Sequence, residues 1–356
     1  MAFCRSVYSM VGFVRFDYLH YVPSPLLKML QPGSRNQIQI REFLSRYSGR
    51  EVLYCPNPGN GGDAFIAHAT FRLFEELGIG YETVPYKHIT DGMTLFYGGG
   101  GNLIEGRYPH AHHFLTNNIG RGNSIVVLPH TVRGYGEFLA GASDVTVICR
   151  ETVSYDALRE AGLPEGRLYL SEDMAFSIDP FDFGVRKQGS GTGFFFRGDV
   201  ESTGANEIPE GNLDISMCWN GDLWEDPEFT AAVCRSIALH IDRFATIVTD
   251  RLHVGIIGAL LGKRVLLHPN DYYKIKAVYD HSLHRYLNVT FIDGGAEGRN
   301  GGDADDSFSE PAAVEEAQAA PPSDPLNKGQ SGLLERLKSQ IKHRLFPSRT
   351  SDRQET

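Results

Sequence analysis

Five cysteines among 356 residues, none spaced as C-x-x-C, leave this sequence without a disulfide framework or a zinc-binding pattern. Cys4, Cys55, Cys149, Cys218 and Cys234 are scattered and odd in number, which fits the reduced thiols of a cytosolic protein. No window approaches the ~20 consecutive apolar residues of a membrane span. The N-terminal stretch is interrupted by Arg5, Arg15 and Asp17, so it lacks the clean apolar segment of a signal peptide. Positive charge is scarce: 34 Lys and Arg face 44 Asp and Glu, a formal net charge of −10, which argues against a general nucleic-acid binder. Neither a Gly-x-Ser-x-Gly elbow nor an H-E-x-x-H pair occurs, and no cysteine has a catalytic context, so hydrolase and metalloprotease readings are poor.

What is present is an ordinary soluble composition, 41% hydrophobic and 22% charged, on a chain long enough for two domains. Residues 1–48 read as an aromatic-rich N-terminal extension broken by Pro23, Pro25 and Pro32, with a helix over Ile38 to Tyr47. From residue 49 the pattern alternates. Short apolar runs at Glu51–Cys55, Tyr81–Val84, Met93–Tyr97, Ser124–Leu128, Val145–Cys149 and Tyr169–Ser171 predict strands, separated by helical periodicity at Ala64–Leu77, His110–Ile119 and Thr152–Ala161. Phe181–Gly193 has no periodicity and predicts a domain boundary. A second series follows, with strands at Phe194–Phe196, Leu213–Met217, Ala245–Thr249, Val265–Leu267 and Val289–Asp293, and helices at Asp226–Ile241, Val254–Leu261 and Lys274–His284. The predicted fold is α/β, with two Rossmann-like doubly wound domains, 49–183 and 184–295, facing a cleft.

Residues 296–332 carry eight acidic and two basic side chains and few large apolar ones, which predicts a disordered acidic linker. Residues 333–346 then place Leu333, Leu334, Leu337, Ile341 and Leu345 on one stripe flanked by Arg336, Lys338, Lys342 and Arg344. A basic amphipathic helix of this kind either lies on an anionic membrane surface, or docks on the protein or serves merely as a solubilising tail, and the sequence leaves these open.

Candidate chemistry concentrates where strands end, because ligands of parallel sheets bind at that edge. Asp250-Arg251-Leu252-His253 lies between a strand and a helix, and a helix N-terminus favours a phosphate or carboxylate. Asp250 also reads as a helix cap. Arg197, ending the first strand of the second domain, would complete a two-arginine anion clamp with Arg251. In the first domain, Asn57 to Asp63 joins strand to helix. It is neither a P-loop nor G-x-G-x-x-G, but Asn60, Gly61 and Gly62 would let backbone approach a ligand closely. Gly98 to Gly101 with Asn102 is a second such cluster, in which Gly99, Gly100 and Asn102 are candidate anion or acceptor contacts. Asp63 reads either as a cap or as a carboxylate for acid/base work, as does the pair Glu172-Asp173. His110, His112 and His113 fit no common zinc spacing and predict surface or rim positions, and Lys274 and Lys276 predict surface helix residues.

Seven motifs in order resemble the polysaccharide pyruvyl transferase family: Asn57-x-x-Asn-x-Gly-Asp63, Gly98-Gly-Gly-Gly-Asn102, Val127-Leu-Pro-His-Thr131, Cys149-Arg-Glu-Thr-Val-Ser-Tyr155, Ser171-Glu-Asp-Met-Ala-Phe176, Phe196-Arg197, and Thr249-Asp-Arg-Leu-His-Val254 followed by Gly262-Lys-Arg-Val265. The resemblance spans about residues 50 to 293. It departs from the family at His130, where Gln is common.

The resemblance implies a GT-B-like fold and transfer of a pyruvyl group from phosphoenolpyruvate to sugar hydroxyls of a cell-surface glycan or exopolysaccharide, as a ketal. It implies that Arg251, Leu252, His253 and Arg197 bind the donor. The assigned catalytic residues are His253 and Arg251, with Asp63 or Asp173 deprotonating the sugar hydroxyl. No metal or other cofactor is expected, since phosphoenolpyruvate is itself the donor substrate. The expected partner is a sugar acceptor such as a lipid-linked oligosaccharide, met at the inner face of the cytoplasmic membrane, and no nucleic acid. Two other readings stand beside it: a nucleotide-sugar glycosyltransferase on the same architecture, and a non-catalytic glycan- or phosphate-binding scaffold.

Overall fold

Strand and helix alternate along the chain as the hydrophobic pattern requires, and every strand pairing in the two main sheets is parallel. The computed structural model describes residues 35–185 and 189–292. Residues 1–34 of the N-terminal extension, the linker expected over 296–332 and the amphipathic helix expected over 333–346 lie outside them.

The described part of the N-terminal extension joins the body. Its helix α1 (Ile40–Leu44) buries Ile40, Phe43 and Leu44, and the preceding chain pairs Gln37 with Leu170. The first half follows as β1 (Glu51–Cys55), β2 (Gly59–Asn60), α2 (Gly61–Leu77), β3 (Gly80–Thr83), β4 (Thr94–Tyr97), β5 (Gly100–Ile104), α3 (His110–Asn118), β6 (Ser124–Arg133), α4 (Gly136–Gly141), β7 (Val145–Cys149), α5 (Thr152–Glu160) and β8 (Leu168–Leu170). Its seven-stranded sheet runs β3-β1-β4-β6-β7-β8, with β5 also paired to β6. The second half comprises β9 (Thr192–Phe195), β10 (Asn220–Gly221), α6 (Pro227–Ile241), β11 (Thr246–Thr249), α7 (Leu252–Leu260), β12 (Arg264–Leu267), α8 (Lys274–His281) and β13 (Val289–Phe291). Its four-stranded sheet has the order β9-β11-β12-β13.

Helix α2 starts where it does because Asn60 accepts the Gly62 amide at 2.8 Å while Asp63 reaches back to the Asn60 amide at 3.0 Å, a capping box. It ends on Gly78, whose φ of 64° is left-handed. Nearly every side chain from Ala64 to Phe74 is buried, as expected of a helix covered on both sides. The first sheet lies beneath it and α6 above it, and a Cβ on Gly61 would come within 2.7 Å of Ile237 Cδ1. The resulting apolar core is continuous: Tyr54, Phe65 and Phe96 of the first half belong to one cluster with Ile237, Ile247, Ile257 and Val265 of the second. Each such side chain contributes roughly 1.5–3 kcal/mol on burial. A separate cluster that includes Leu95, Phe114, Ile125, Val145 and Leu158 fills the other face of the first sheet.

Four sequence expectations change. Gly98–Gly101 is not simply a strand end, because β5 begins at Gly100 and pairs with the far part of β6. Strand β6 runs on to Arg133, past Pro129, where the register shifts and a missing N–H is tolerated. Leu213–Met217 is not a strand. The chain turns through a 3₁₀ helix at Ile215–Cys218, with the Asp214 carboxylate holding Arg251 and the Gly198 amide. Asp250 does not cap α7; Arg251 occupies that position, and the Asp250 carboxylate accepts the Arg197 amide at 2.7 Å.

Candidate active site

The C-terminal strand edges of both sheets border one cavity of about 470 Å³. Asn57, Asn60, Asp63, Asn102, Tyr108 and Arg150 reach it from the first half, and Arg197, Asp199, Glu201, Arg251, Leu252, His253 and Lys274 from the second. The short ribbon β2–β10 pairs Asn60 with Asn220 and so ties one wall to the other.

Strand β9 delivers Arg197 and strand β11 delivers Arg251, neighbours because the two strands pair through Phe195 and Thr249. Both arginine side chains are almost wholly enclosed, 5% and 4% exposed. Asp199 joins them: its Oδ1 accepts from Arg197 Nε at 2.7 Å, and its Oδ2 lies 2.8 Å from Arg251 Nη1. Asp214 takes the other edge of Arg251 in a two-point bond of 2.8 and 2.5 Å. Glu201 gathers Arg197 Nη1 at 2.7 Å, Lys274 Nζ at 2.5 Å and the Tyr108 hydroxyl at 2.7 Å. Burial raises the Glu201 carboxyl, but Lys274 and Arg197 outweigh it and hold the group down at about 2. Burial lowers Lys274 to about 8, only partly opposed by Glu201. Burial also raises Asp250, to about 6, against the bond from the Arg197 amide. Each arginine commits three of its five N–H groups to these carboxylates.

Across the cavity, Asp63 is bonded at Oδ1 by Asn57 Nδ2 (2.9 Å) and at Oδ2 by the Asn60 amide. Burial lifts this carboxyl above its ordinary range, opposed first by His253. Asp173 is fully buried. It caps the Ala175 amide at 2.9 Å, takes Arg150 Nη1 at 2.7 Å, and faces His253 Nε2 at 3.5 Å. Burial pushes Asp173 up, but His253 and Arg150 prevail and hold it below the usual carboxylate range.

The structure brings together Arg197, Arg251, Leu252, His253, Asp63, Asn60 and Asn102 on the cavity wall. Gly61, Gly62, Gly99 and Gly100 are not on that wall. They are small for internal reasons: a Cβ would meet Ile237 at Gly61, His253 at Gly62, the Pro129 carbonyl at Gly99 and Asn57 at Gly100. His130 lies beneath the floor, where Nε2 accepts the Asn102 amide at 3.1 Å and Nδ1 faces the Gly98 carbonyl at 3.1 Å. Burial depresses it to about 3, so it is a neutral scaffold residue. Among the three neighbouring histidines, His110 reaches the cavity rim, His112 stacks on Tyr135, and His113 is exposed. Lys274 is not the surface residue its helix suggested, because the helix starts at the cavity and points its first side chain inward to Glu201; Lys276 is exposed and pairs with Asp280. Sequence reasoning gave Arg150, Tyr108, Asp199, Glu201 and Asp214 no role. For Arg150 the signal was present, since it ends a buried strand as Arg251 does.

With this geometry the class is defined: the chain belongs to the polysaccharide pyruvyl transferase family, whose family model matches residues 60–217, and is thereby a transferase acting on polysaccharide. A functionally uncharacterized protein from Klebsiella pneumoniae subsp. pneumoniae NTUH-K2044 has a similar solved structure, with 34% sequence identity and a TM-score of 0.65, covering 72% of this chain and 97% of that one. No curated protein matches.

Proposed function

We propose that this protein transfers a pyruvyl group from phosphoenolpyruvate to sugar hydroxyls of a cell-surface glycan or exopolysaccharide, forming a ketal. One observation carries the donor assignment: two enclosed arginines, Arg197 and Arg251, converge at the N-terminus of α7 directly before His253. Phosphoenolpyruvate offers a carboxylate and a phosphate, and guanidinium pairs and helix N-termini suit both. Lys274 and Arg150 add two further cations to the cavity wall. In this reading the two sheets are the halves of a GT-B-like enzyme, with residues 184–295 holding the donor and 49–183 the acceptor.

The chemistry balances on the donor and two hydroxyls alone, with no cofactor. His253 supplies a proton to the methylene carbon of the donor, and one sugar hydroxyl adds at the neighbouring carbon. A second hydroxyl closes the ketal as the bond to phosphate breaks. Of the two hydroxyl protons, one replaces that given to the new methyl group and the other leaves with phosphate. Asp63, whose buried carboxyl is raised, receives the proton of the attacking hydroxyl.

The deciding experiment incubates the full chain with phosphoenolpyruvate and candidate lipid-linked oligosaccharides, and follows phosphate release and an added pyruvyl unit by mass spectrometry. Arg251→Ala and His253→Ala should each remove at least 100-fold of the phosphate release, on the order found when one transition-state contact is lost. Full release in either variant overturns the site. Turnover of a nucleotide sugar instead overturns the donor.

A further inference from the structure

We propose that Asp173 is the positioning residue of this site, fixing the His253 ring so that Nδ1, and not Nε2, is the nitrogen presented to the donor. The proposal rests on the pyruvyl-transfer reading only for what His253 acts upon; the geometry of the pair stands apart from it.

Asp173 cannot swing. Oδ1 is tied to the Ala175 amide at 2.9 Å, and Oδ2 is held by Arg150 Nη1 at 2.7 Å. Arg150 is itself anchored, its Nε donating to Thr131 Oγ1 at 2.8 Å. The side chain of Asp173 has no exposed surface at all. His253 Nε2 lies 3.5 Å from Oδ2 of this fixed carboxylate. Nε2 is fully buried and makes no hydrogen bond among the described residues, and the carboxylate that faces it is Asp173, with Oδ2 at 3.5 Å. The opposite edge of the ring is set by α2: the point a Cβ of Gly62 would occupy is 2.5 Å from His253 Nδ1 and 2.9 Å from Asn60 Oδ1. Asn60 and His253 both line the cavity.

The imidazole interacts electrostatically with two carboxylates of the first half, Asp173 and Asp63, and Arg150 neutralises part of the charge on Asp173. A ring that keeps its proton on Nε2 beside this carboxylate carries its lone pair on Nδ1 when neutral, and gives up the Nδ1 proton when charged. Asp173 touches neither the cavity nor a ligand in it, so its effect on the reaction passes through His253.

The test reads the ring nitrogens of the full chain by ¹⁵N NMR, with His253 assigned by the signals lost in His253→Gln. The neutral ring is expected as the Nε2–H tautomer. An Nδ1–H tautomer overturns the proposal, and this measurement needs no variant at Asp173. Asp173→Asn should mix the two tautomers and lower kcat at least tenfold, with KM for phosphoenolpyruvate changed less than threefold. In a His253→Ala background the same substitution should cost less than twofold more; a full further loss shows a merely structural role. If the tautomer is as expected and phosphoenolpyruvate is not turned over, the donor assignment fails and the positioning stands. Turnover with an Nδ1–H ring is the reverse outcome.

Discussion

Gly62 packs so closely against His253 that a methyl group added to its Cα would sit 2.5 Å from Nδ1. Gly62 lies in the first turn of α2, where alanine is worth roughly 1 kcal/mol more than glycine to a helix. Gly62→Ala should therefore leave the melting temperature within a few degrees while lowering activity at least tenfold, because the imidazole must move. Activity equal to the parent protein would show that His253 has room to spare.

Asp199 occupies ground a ligand would want. It takes one N–H edge of Arg197 and part of Arg251, and it is only a quarter exposed. Asp199→Asn should bind phosphoenolpyruvate or inorganic phosphate about tenfold more tightly by calorimetry, since an internal competitor of like charge is gone. Asp214→Asn should bind more weakly, because Asp214 aligns Arg251 from behind through two bonds. Equal affinities in all three proteins would refute this division of labour.

His130 should make the fold acid-sensitive. Burial depresses it to about 3, whereas an unfolded chain takes up this proton near the ordinary value of about 6.5. Protons then bind the unfolded state preferentially between those values, so stability is lost as pH falls through that window. His130→Gln keeps an acceptor for the Asn102 amide and a donor for the Gly98 carbonyl, and removes the titration. Melting temperature measured from pH 7 to pH 4 should fall less steeply in the variant; parallel curves would exonerate His130.

The proposed location at a membrane face rests on the sequence of residues 333–346. Deleting residues 333–356 should reduce co-sedimentation with anionic liposomes, and more so at low salt, where basic side chains bind such surfaces best. Unchanged sedimentation would remove the membrane contact.

The parallel α/β plan was legible in the sequence because short apolar strands and amphipathic helices differ in period. The two-arginine wall of the cavity was legible for a related reason: Arg197 and Arg251 end strands that pair directly, so their meeting follows from topology. The opposite wall was less so. Gly99 and Gly100 look like ligand contacts, yet their smallness answers to Pro129 and Asn57, and sequence carries no mark of which neighbour excludes a side chain. Lys274 was misplaced because its helix is amphipathic in the ordinary way; only the point at which the helix begins turns that residue inward. Glu201 and Asp214 sit in segments of irregular backbone, where periodicity says nothing about direction.

The shared apolar cluster running from Tyr54 and Phe65 through α6 to Ile257 bears on how the protein fails. A seam of that kind gives neither half an independent melting point. Heat should then produce one calorimetric transition, with the strand-end arginines of the second half lost at the same temperature as the capped loop of the first. A lesion deep in either sheet would empty the cavity without touching a single residue that lines it.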